Sequence, residues 1–290
     1  MTGVSGSGKS SLILDILGNY KSHKNDVESL KGLDLIDRII EVDQKDIGRS
    51  SRSNVATYTD IFSLIRNIFA NSQKAKELNI RSKDFSFNVE GGRCEKCLGL
   101  GSIPLDMHFL EDIEVDCPRC HGKRFNERTL RVKYKGFSIS DILNLTIEEN
   151  LLIFKDNASV VRRLKILKDV GLEYLTLGQS TSTLSGGECQ RIKLSKELGK
   201  TDKGHTLYLL DEPTSGLHPG DSKRLIKLLR QLVSGGHSVI VIEHSMDLVS
   251  QSDWIIDMGP EGGQQGGRVV AEGTPKILKK SKNSYTALYI

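Results

Sequence analysis

Gly3-Val4-Ser5-Gly6-Ser7-Gly8-Lys9-Ser10 is the stretch whose reading decides the fold. It matches G-x-x-x-x-G-K-[ST] and runs directly into a helical pattern, Ser10 to Leu17. Glycines at Gly3, Gly6 and Gly8 let the backbone curl so that successive N–H groups point at phosphate oxygens. Lys9 is expected to place an ammonium on the β/γ-phosphates, and the Ser10 hydroxyl to sit on Mg²⁺. Ser5 and Ser11 complete the loop's polar lining. The alternative, a flexible glycine-rich terminus, does not require the helix that follows. A phosphate loop ordinarily follows a buried strand, yet only Met1 and Thr2 precede this one. Two residues are too few for a strand, so the expectation is a fragment whose first strands are missing.

Working outward, Leu207-Tyr-Leu-Leu-Asp-Glu-Pro213 is an apolar run ending in two carboxylates. Such a pair at the end of a buried strand is costly without a cation. Asp211 suits Mg²⁺, and Glu212 suits the base that polarises an attacking water. Ser238-Val-Ile-Val-Ile-Glu-His244 repeats the design, with His244 placed to meet a γ-phosphate or the water. Taken alone, a histidine at a strand end is more often a plain hydrogen-bonding residue. Leu184-Ser-Gly-Gly-Glu188 opens a helix, and Ser185, Gly186 and Gly187 form an anion-binding start to it. By itself this is also what an ordinary capped helix looks like.

Further β-branched runs occur at 37–43, 254–256 and 268–270, and helical spacing at 58–79 and 160–170. Strands separated by helices indicate an α/β fold with a mostly parallel sheet. Three zones follow: 1–85 and 136–290 as two parts of one ATPase-type domain, and 86–135 as an insert different in kind. In 290 residues, 37% are hydrophobic and 27% charged, which suits a globular chain with a sizeable core. No run is long enough to span a membrane and no leader pattern opens the chain, so the expected location is cytoplasmic. The net charge of +4 permits an anionic partner without demanding one.

The insert holds Cys94-x-x-Cys97 and Cys117-x-x-Cys120, separated by 19 residues, a spacing that suits Zn²⁺. Four thiolates close a tetrahedral site and leave no position for catalysis, so the ion is expected to be structural. Gly99, Gly101 and Gly122 suit tight knuckle turns, and His108 and His121 are spare donors. A redox dithiol fits paired C-x-x-C less well. Arg119, Lys123, Arg124, Arg128, Arg131, Lys133 and Lys135 follow, interleaved with Phe125 and Tyr134. They read equally as a phosphate-backbone contact or as a solvated face with two aromatics packed inward. Cys189 reads as a small buried residue, and 276–282 as a solvated basic helix face.

Together, Gly3 to Ser10, Gln44, Leu184 to Glu188, Asp211-Glu212, Ser215-Gly-Leu-His218 and His244 resemble the Walker A, Q-loop, signature, Walker B, D-loop and switch-histidine motifs of ABC-type ATPases. More specific phrases are Val42 to Arg49, Ser51 to Asn54 with Ala56-Thr-Tyr58, Met107 to Leu110 and Asp253 to Gly263. These look like the second, C-terminal ATPase half of the UvrA family, which recognises damage within the UvrABC excision nuclease. The resemblance implies an ABC-type P-loop NTPase with a helical signature subdomain and an inserted zinc module. It implies ATP, Mg²⁺ and Zn²⁺ as cofactors, with Glu212, His244 and Gln44 catalytic. It also implies that Ser185 and Gly187 complete an ATP site on a partner, either a second ATPase half or a UvrA protomer in a dimer. Further implied partners are UvrB and double-stranded damaged DNA, with no membrane and no nuclease site. The alternatives are a UvrA-like paralogue in resistance to DNA-binding antibiotics, an inert zinc DNA-binding fragment, and a transporter's nucleotide-binding subunit. The zinc insert and the long loop-to-signature distance count against transport.

Overall fold

The structure is a computed structural model that describes residues 1–20, 22, 27–45, 47, 50, 52–105, 113–200 and 204–290. The apolar runs become strands: β1 (Thr2–Gly3), β2 (Arg38–Val42), β3 (Ser102–Leu105), β4 (Ile113–Asp116), β5 (Thr206–Asp211), β6 (Ser238–Ile242), β7 (Ile255–Gly259) and β8 (Arg268–Gly273). The chain forms two compact units. One comprises Met1–Lys45, Asp169–Gly171 and Thr201–Ile290; the other comprises Asp46–Lys168 and Leu172–Lys200. The segment 86–135, read as an insert, lies wholly within the second unit.

In the first unit β2, β5 and β6 are parallel neighbours, with Val42 opposite Leu210 and Asp211 opposite Ile242. β7 pairs in parallel with β1 and antiparallel with β8. Thr2 and Gly3 thus do form a short strand, contrary to the sequence expectation. The physical reason is that neighbours supply both of its edges. Thr2 and Gly3 lie in register with Asp257 and Met258. On the other side the Met1 amino group donates to the Val241 carbonyl at 2.6 Å, and Glu243 N–H donates to the Met1 carbonyl at 3.0 Å.

Ile13, Leu207, Leu209 and Ile242 form a buried cluster, with Leu14, Leu17 and Ile39 packed against it. This cluster fixes the helix after the phosphate loop upon the sheet, and burial of such side chains contributes about 1.5–3 kcal/mol each. That helix, Ser11–Gly18, is wound with wide π-type hydrogen bonding. The helix Pro219–Ser234 begins with proline and buries Leu225, Ile226, Leu228, Leu229 and Leu232. It packs on β6.

In the second unit the single amphipathic helix expected over 58–79 is three helices: Val55–Tyr58, Ile61–Ala70 and Gln73–Glu77. Asp60, at φ 59°, turns left-handed and breaks the first from the second. Ser72 caps the third by accepting from Ala75 N–H at 3.3 Å. Ile61, Phe62, Ile65 and Phe69 point inward as the helical spacing requires. Phe62 meets Phe87 at 5.3 Å, and Phe69 meets Phe85 at 5.5 Å between ring centroids. Longer helices run over Ala158–Asp169 and Gly186–Leu198.

Candidate nucleotide site and metal centre

Parallel strands deliver their C-terminal ends to one edge of a sheet, where α/β folds bind ligands. Here β1 ends in the phosphate loop, β5 in Asp211-Glu212 and β6 in Glu243-His244, while Gln44 lies two residues beyond β2. Gly3 takes φ +128°, and a Cβ there would stand 2.0 Å from the Met258 carbonyl oxygen, so only glycine fits. Lys9 is buried and turns back on its own loop, donating to the Gly3 and Val4 carbonyls at 3.0 and 2.8 Å. Burial lowers its pKa, opposed by the charges of Glu212, Asp257 and Asp211. Asp211 lies above the ordinary carboxylate range because of burial and then Glu212; Lys9 and a hydrogen bond from Ser10 pull the other way. Ser5, Gly6, Ser10 and Ser11 remain exposed, as a loop awaiting phosphates requires.

Glu212 occupies a left-handed backbone conformation at φ +45°. Its carboxylate Oε1 lies 3.7 Å from His244 Nε2, with both side chains about half exposed. The Glu212 and Asp211 carboxylates also lie close enough to Lys9 to act on its charge. The sequence-derived set Lys9, Ser10, Asp211, Glu212 and His244 is brought together, with Gln44 on the same sheet edge. This donor set, an ammonium with a serine hydroxyl beside a carboxylate, fits a Mg²⁺–nucleotide.

The signature residues belong to the second unit. Ser185 caps the helix Gly186–Leu198, accepting from Glu188 N–H at 3.3 Å, while Glu188 accepts from Ser185 N–H at 2.7 Å. At Glu188 burial raises the pKa, but bonds from Tyr174 and Ser185 outweigh it and leave it low. Cys189 is fully buried. The phrase Met107 to Leu110, with His108, lies outside the described residues, as do Asp46, Gly48, Arg49 and Ser51.

Cys94, Cys97, Cys117 and Cys120 are all buried, with their sulfurs within 4.8 Å of one another. Cys94 and Cys117 sulfurs are 3.9 Å apart, Cys97 and Cys120 sulfurs 3.6 Å. A tetrahedron with arms of about 2.3 Å has edges of about 3.8 Å, so the four thiols fit one Zn²⁺. Gly99, Gly101 and Gly122 take positive φ at the knuckles, and Gly101 N–H donates to Cys97 Sγ at 3.3 Å. At Cys117 burial is outweighed by bonds from the Cys120 and Arg119 amides, bringing the thiol to about 7. Arg124 is held over the Phe87 ring at 5.5 Å, beside Cys97 and Cys120, where its charge offsets thiolate.

The basic run divides. Phe125 and Tyr134 pack inward, Tyr134 stacking on Phe154 at 5.3 Å. Lys133 pairs with Asp141 at 3.2 Å, Lys135 with Asp156 at 2.6 Å, and Arg128 donates to the Leu78 carbonyl. Arg119, Lys123 and Arg131 are exposed.

A family model described as "ABC transporter" matches residues 1–215. The chain belongs to this family. Among ABC relatives, UvrABC system protein A of Aquifex aeolicus is 53% identical over all of this chain and 32% of its own length. The Bacillus subtilis protein of the same name is 51% identical, over all of this chain and 31% of its own length. A solved structure of UvrA2 from Deinococcus radiodurans superposes with a TM-score of 0.89 at 47% identity, covering all of this chain and 36% of that one. The chain therefore spans about a third of the length of the curated relatives it matches. Among the described residues no helix is long and apolar enough to cross a membrane.

Two features of this ABC site escaped the sequence reading. Gly262 to Gly267 braces the phosphate loop: Gly263 N–H donates to the Gly6 carbonyl and Gly267 N–H to the Ser7 carbonyl, both at 3.1 Å. A Cβ on Gly262 would come within 2.7 Å of the Ser5 carbonyl oxygen. The clustered glycines are the available signal, and the family phrase Asp253 to Gly263 stops short of Gly266 and Gly267. The second is Glu243, read as part of an apolar strand end and in fact 4% exposed within a set of hydrogen bonds.

Proposed function

We propose that this chain is the ATP-hydrolysing second half of a UvrA-type DNA repair protein, acting in damage recognition and UvrB loading. The observation that carries the ATPase reading is the convergence of Lys9, Ser10, Asp211, Glu212 and His244 beyond the C-terminal ends of β1, β5 and β6. In this reading Lys9 leaves its loop carbonyls for the β/γ-phosphates, and the loop amides of Gly3 to Ser11 cradle them. Ser10 and Asp211 hold Mg²⁺, which neutralises phosphate charge. Glu212 accepts the proton of the attacking water, and Gln44 and His244 orient water and γ-phosphate. Ser185, Gly186 and Gly187 act on the nucleotide of a second ATPase half or protomer, since one polypeptide unit presents them as a polar helix start.

Cys94, Cys97, Cys117 and Cys120 hold a structural Zn²⁺ that lets a small module keep its shape. Exposed Arg119, Lys123 and Arg131 then contact the backbone of damaged double-stranded DNA, reading deformability and not base identity. Such a protein works in the cytoplasm.

Glu212→Gln tests the reading. Joined with its second ATPase half, the variant should bind ATP with unchanged affinity and turn it over about 100- to 1,000-fold more slowly. Damaged duplex should be preferred to undamaged duplex at one fixed salt concentration. Undiminished turnover in the variant removes Glu212 from its role.

A further inference from the structure

Glu243 follows β6 directly and is buried, yet no lysine or arginine pairs with it among the described ion pairs. Four donors surround its carboxylate instead. Oε1 accepts from Thr214 N–H at 2.9 Å and from the Thr214 hydroxyl. Oε2 accepts from His244 N–H at 2.7 Å and from Ser245 N–H at 2.9 Å. One side chain thus ties two turns together, the one after Glu212 and the one that carries His244. A buried carboxylate is tolerated where its charge is met by hydrogen bonds, and such charge-assisted bonds are the strong ones.

The turn that Glu243 grips needs holding. Glu212 sits at φ +45°, a conformation that disfavours a residue with a side chain, and its carbonyl accepts from Ser215 N–H at 3.0 Å. Glu212 N–H is fixed to the Ile242 carbonyl at 2.8 Å, one residue before Glu243. The β5–β6 pairing sets the backbones of Glu212 and His244 near each other, and the clamp joins the turns that follow, where the two half-exposed side chains stand 3.7 Å apart. The clamp also reaches the segment Ser215 to His218, because Leu217 N–H donates to the Thr214 carbonyl at 3.1 Å.

We infer that Glu243 is a positioning residue for ATP hydrolysis: through Thr214 on one side and His244 and Ser245 on the other, it sets the spacing of Glu212 and His244. Glu243 is 4% exposed and its carboxylate is enclosed by these donors, so it acts through Thr214, His244 and Ser245. The inference rests on the ATPase reading above. It assigns the residue a part in the hydrolytic step and none in nucleotide affinity, because Lys9 and the loop amides lie outside the clamp.

The test is Glu243→Gln in the full chain assembled with its second ATPase half, alongside Glu212→Gln and His244→Ala. The amide keeps size and removes charge, and its NH₂ must face N–H donors whichever way it is turned. The expected result is a kcat lowered about 10- to 100-fold with the KM and affinity for MgATP within about twofold. Backbone amides of Thr214, His244 and Ser245 should exchange hydrogen faster. In a His244→Ala background the same change should cost much less, since both act on one spacing. Thr214→Val, which removes one of the four donors, should show the same split at a smaller scale, about 3- to 10-fold, and carries the test if Glu243→Gln does not fold. A wild-type kcat in both variants, or a raised KM with unchanged kcat, overturns the inference. If Glu212→Gln and His244→Ala also keep wild-type turnover, the ATPase reading falls with it; if they lose turnover, only the role of Glu243 falls.

Discussion

In the phosphate loop, Lys9 turns back to the Gly3 and Val4 carbonyls and several loop groups face open space. In the cysteine module, four sulfurs meet one another behind a buried shell, two pairs of them 3.9 and 3.6 Å apart. Both regions are short glycine-bent backbones that gather polar atoms at one point. They differ in whether those atoms are left for a visitor. An open cluster with an ammonium and carboxylates in the first unit leaves room for a ligand to come and go. A closed cluster of four like thiols suits a brace, because a tetrahedron filled by one ion would offer no vacant position to a substrate.

The largest expected effect breaks the closed region alone. Cys117→Ser should take zinc content from about one per chain to none and unfold residues around β3 and β4, because in such modules metal binding is folding free energy. Metal analysis with limited proteolysis reads both. ATP binding by the first unit should survive, and its loss would mean that the two clusters are not independent. A smaller effect is expected at the open region's foundation. Gly3→Ala drives a Cβ to 2.0 Å from the Met258 carbonyl, in a backbone at φ +128°. Stability of the first unit should drop by about 3 kcal/mol, seen in the denaturant midpoint. An unchanged midpoint would show that β1 does not pair with β7 as described.

The smallest effect sharpens the electrostatic side of the contrast. Burial and Glu212 hold Asp211 above its ordinary range. The folded protein then keeps a proton that the unfolded chain has already released. This group's contribution is therefore largest in acid, below the unfolded value, and declines as pH rises through the folded value. Asp211→Asn should flatten that slope in the nucleotide-free protein and raise the neutral-pH melting temperature by no more than about 2 °C. Melting curves across pH read the difference, and parallel curves for the two proteins would show that Asp211 carries no such penalty.

Chemistry was more legible in the sequence than geometry was. Lys9, Asp211, Glu212 and His244 could be read because each lies at a fixed offset from an apolar run or a glycine turn, so a local pattern names it. Glu243 could not be read, since its role depends on Thr214, which only tertiary structure brings to it. The bracing of Gly6 and Ser7 by Gly263 and Gly267 is hidden for the same reason. The strand made by Thr2 and Gly3 was ruled out on length, a local criterion that ignores neighbours already holding open edges. The helix expected over 58–79 had the right periodicity, but periodicity does not register a left-handed residue such as Asp60. In the module, spacing alone indicated the thiol cluster, whereas the balance between free and paired basic residues needed Asp141 and Asp156 to be placed.

The hydroxyl of Thr2 donates to Asp257 at 2.8 Å across a separation of 255 residues. Asp257 also receives Ser284 and Thr286, closing the network from the far end of the chain. On a ribosome, the phosphate loop therefore stays without its supporting strand until the residues between Thr2 and Asp257 have been made. Contacts of such long range are slow to form and leave apolar surface uncovered meanwhile. The nucleotide site therefore becomes a site only long after its loop has been made.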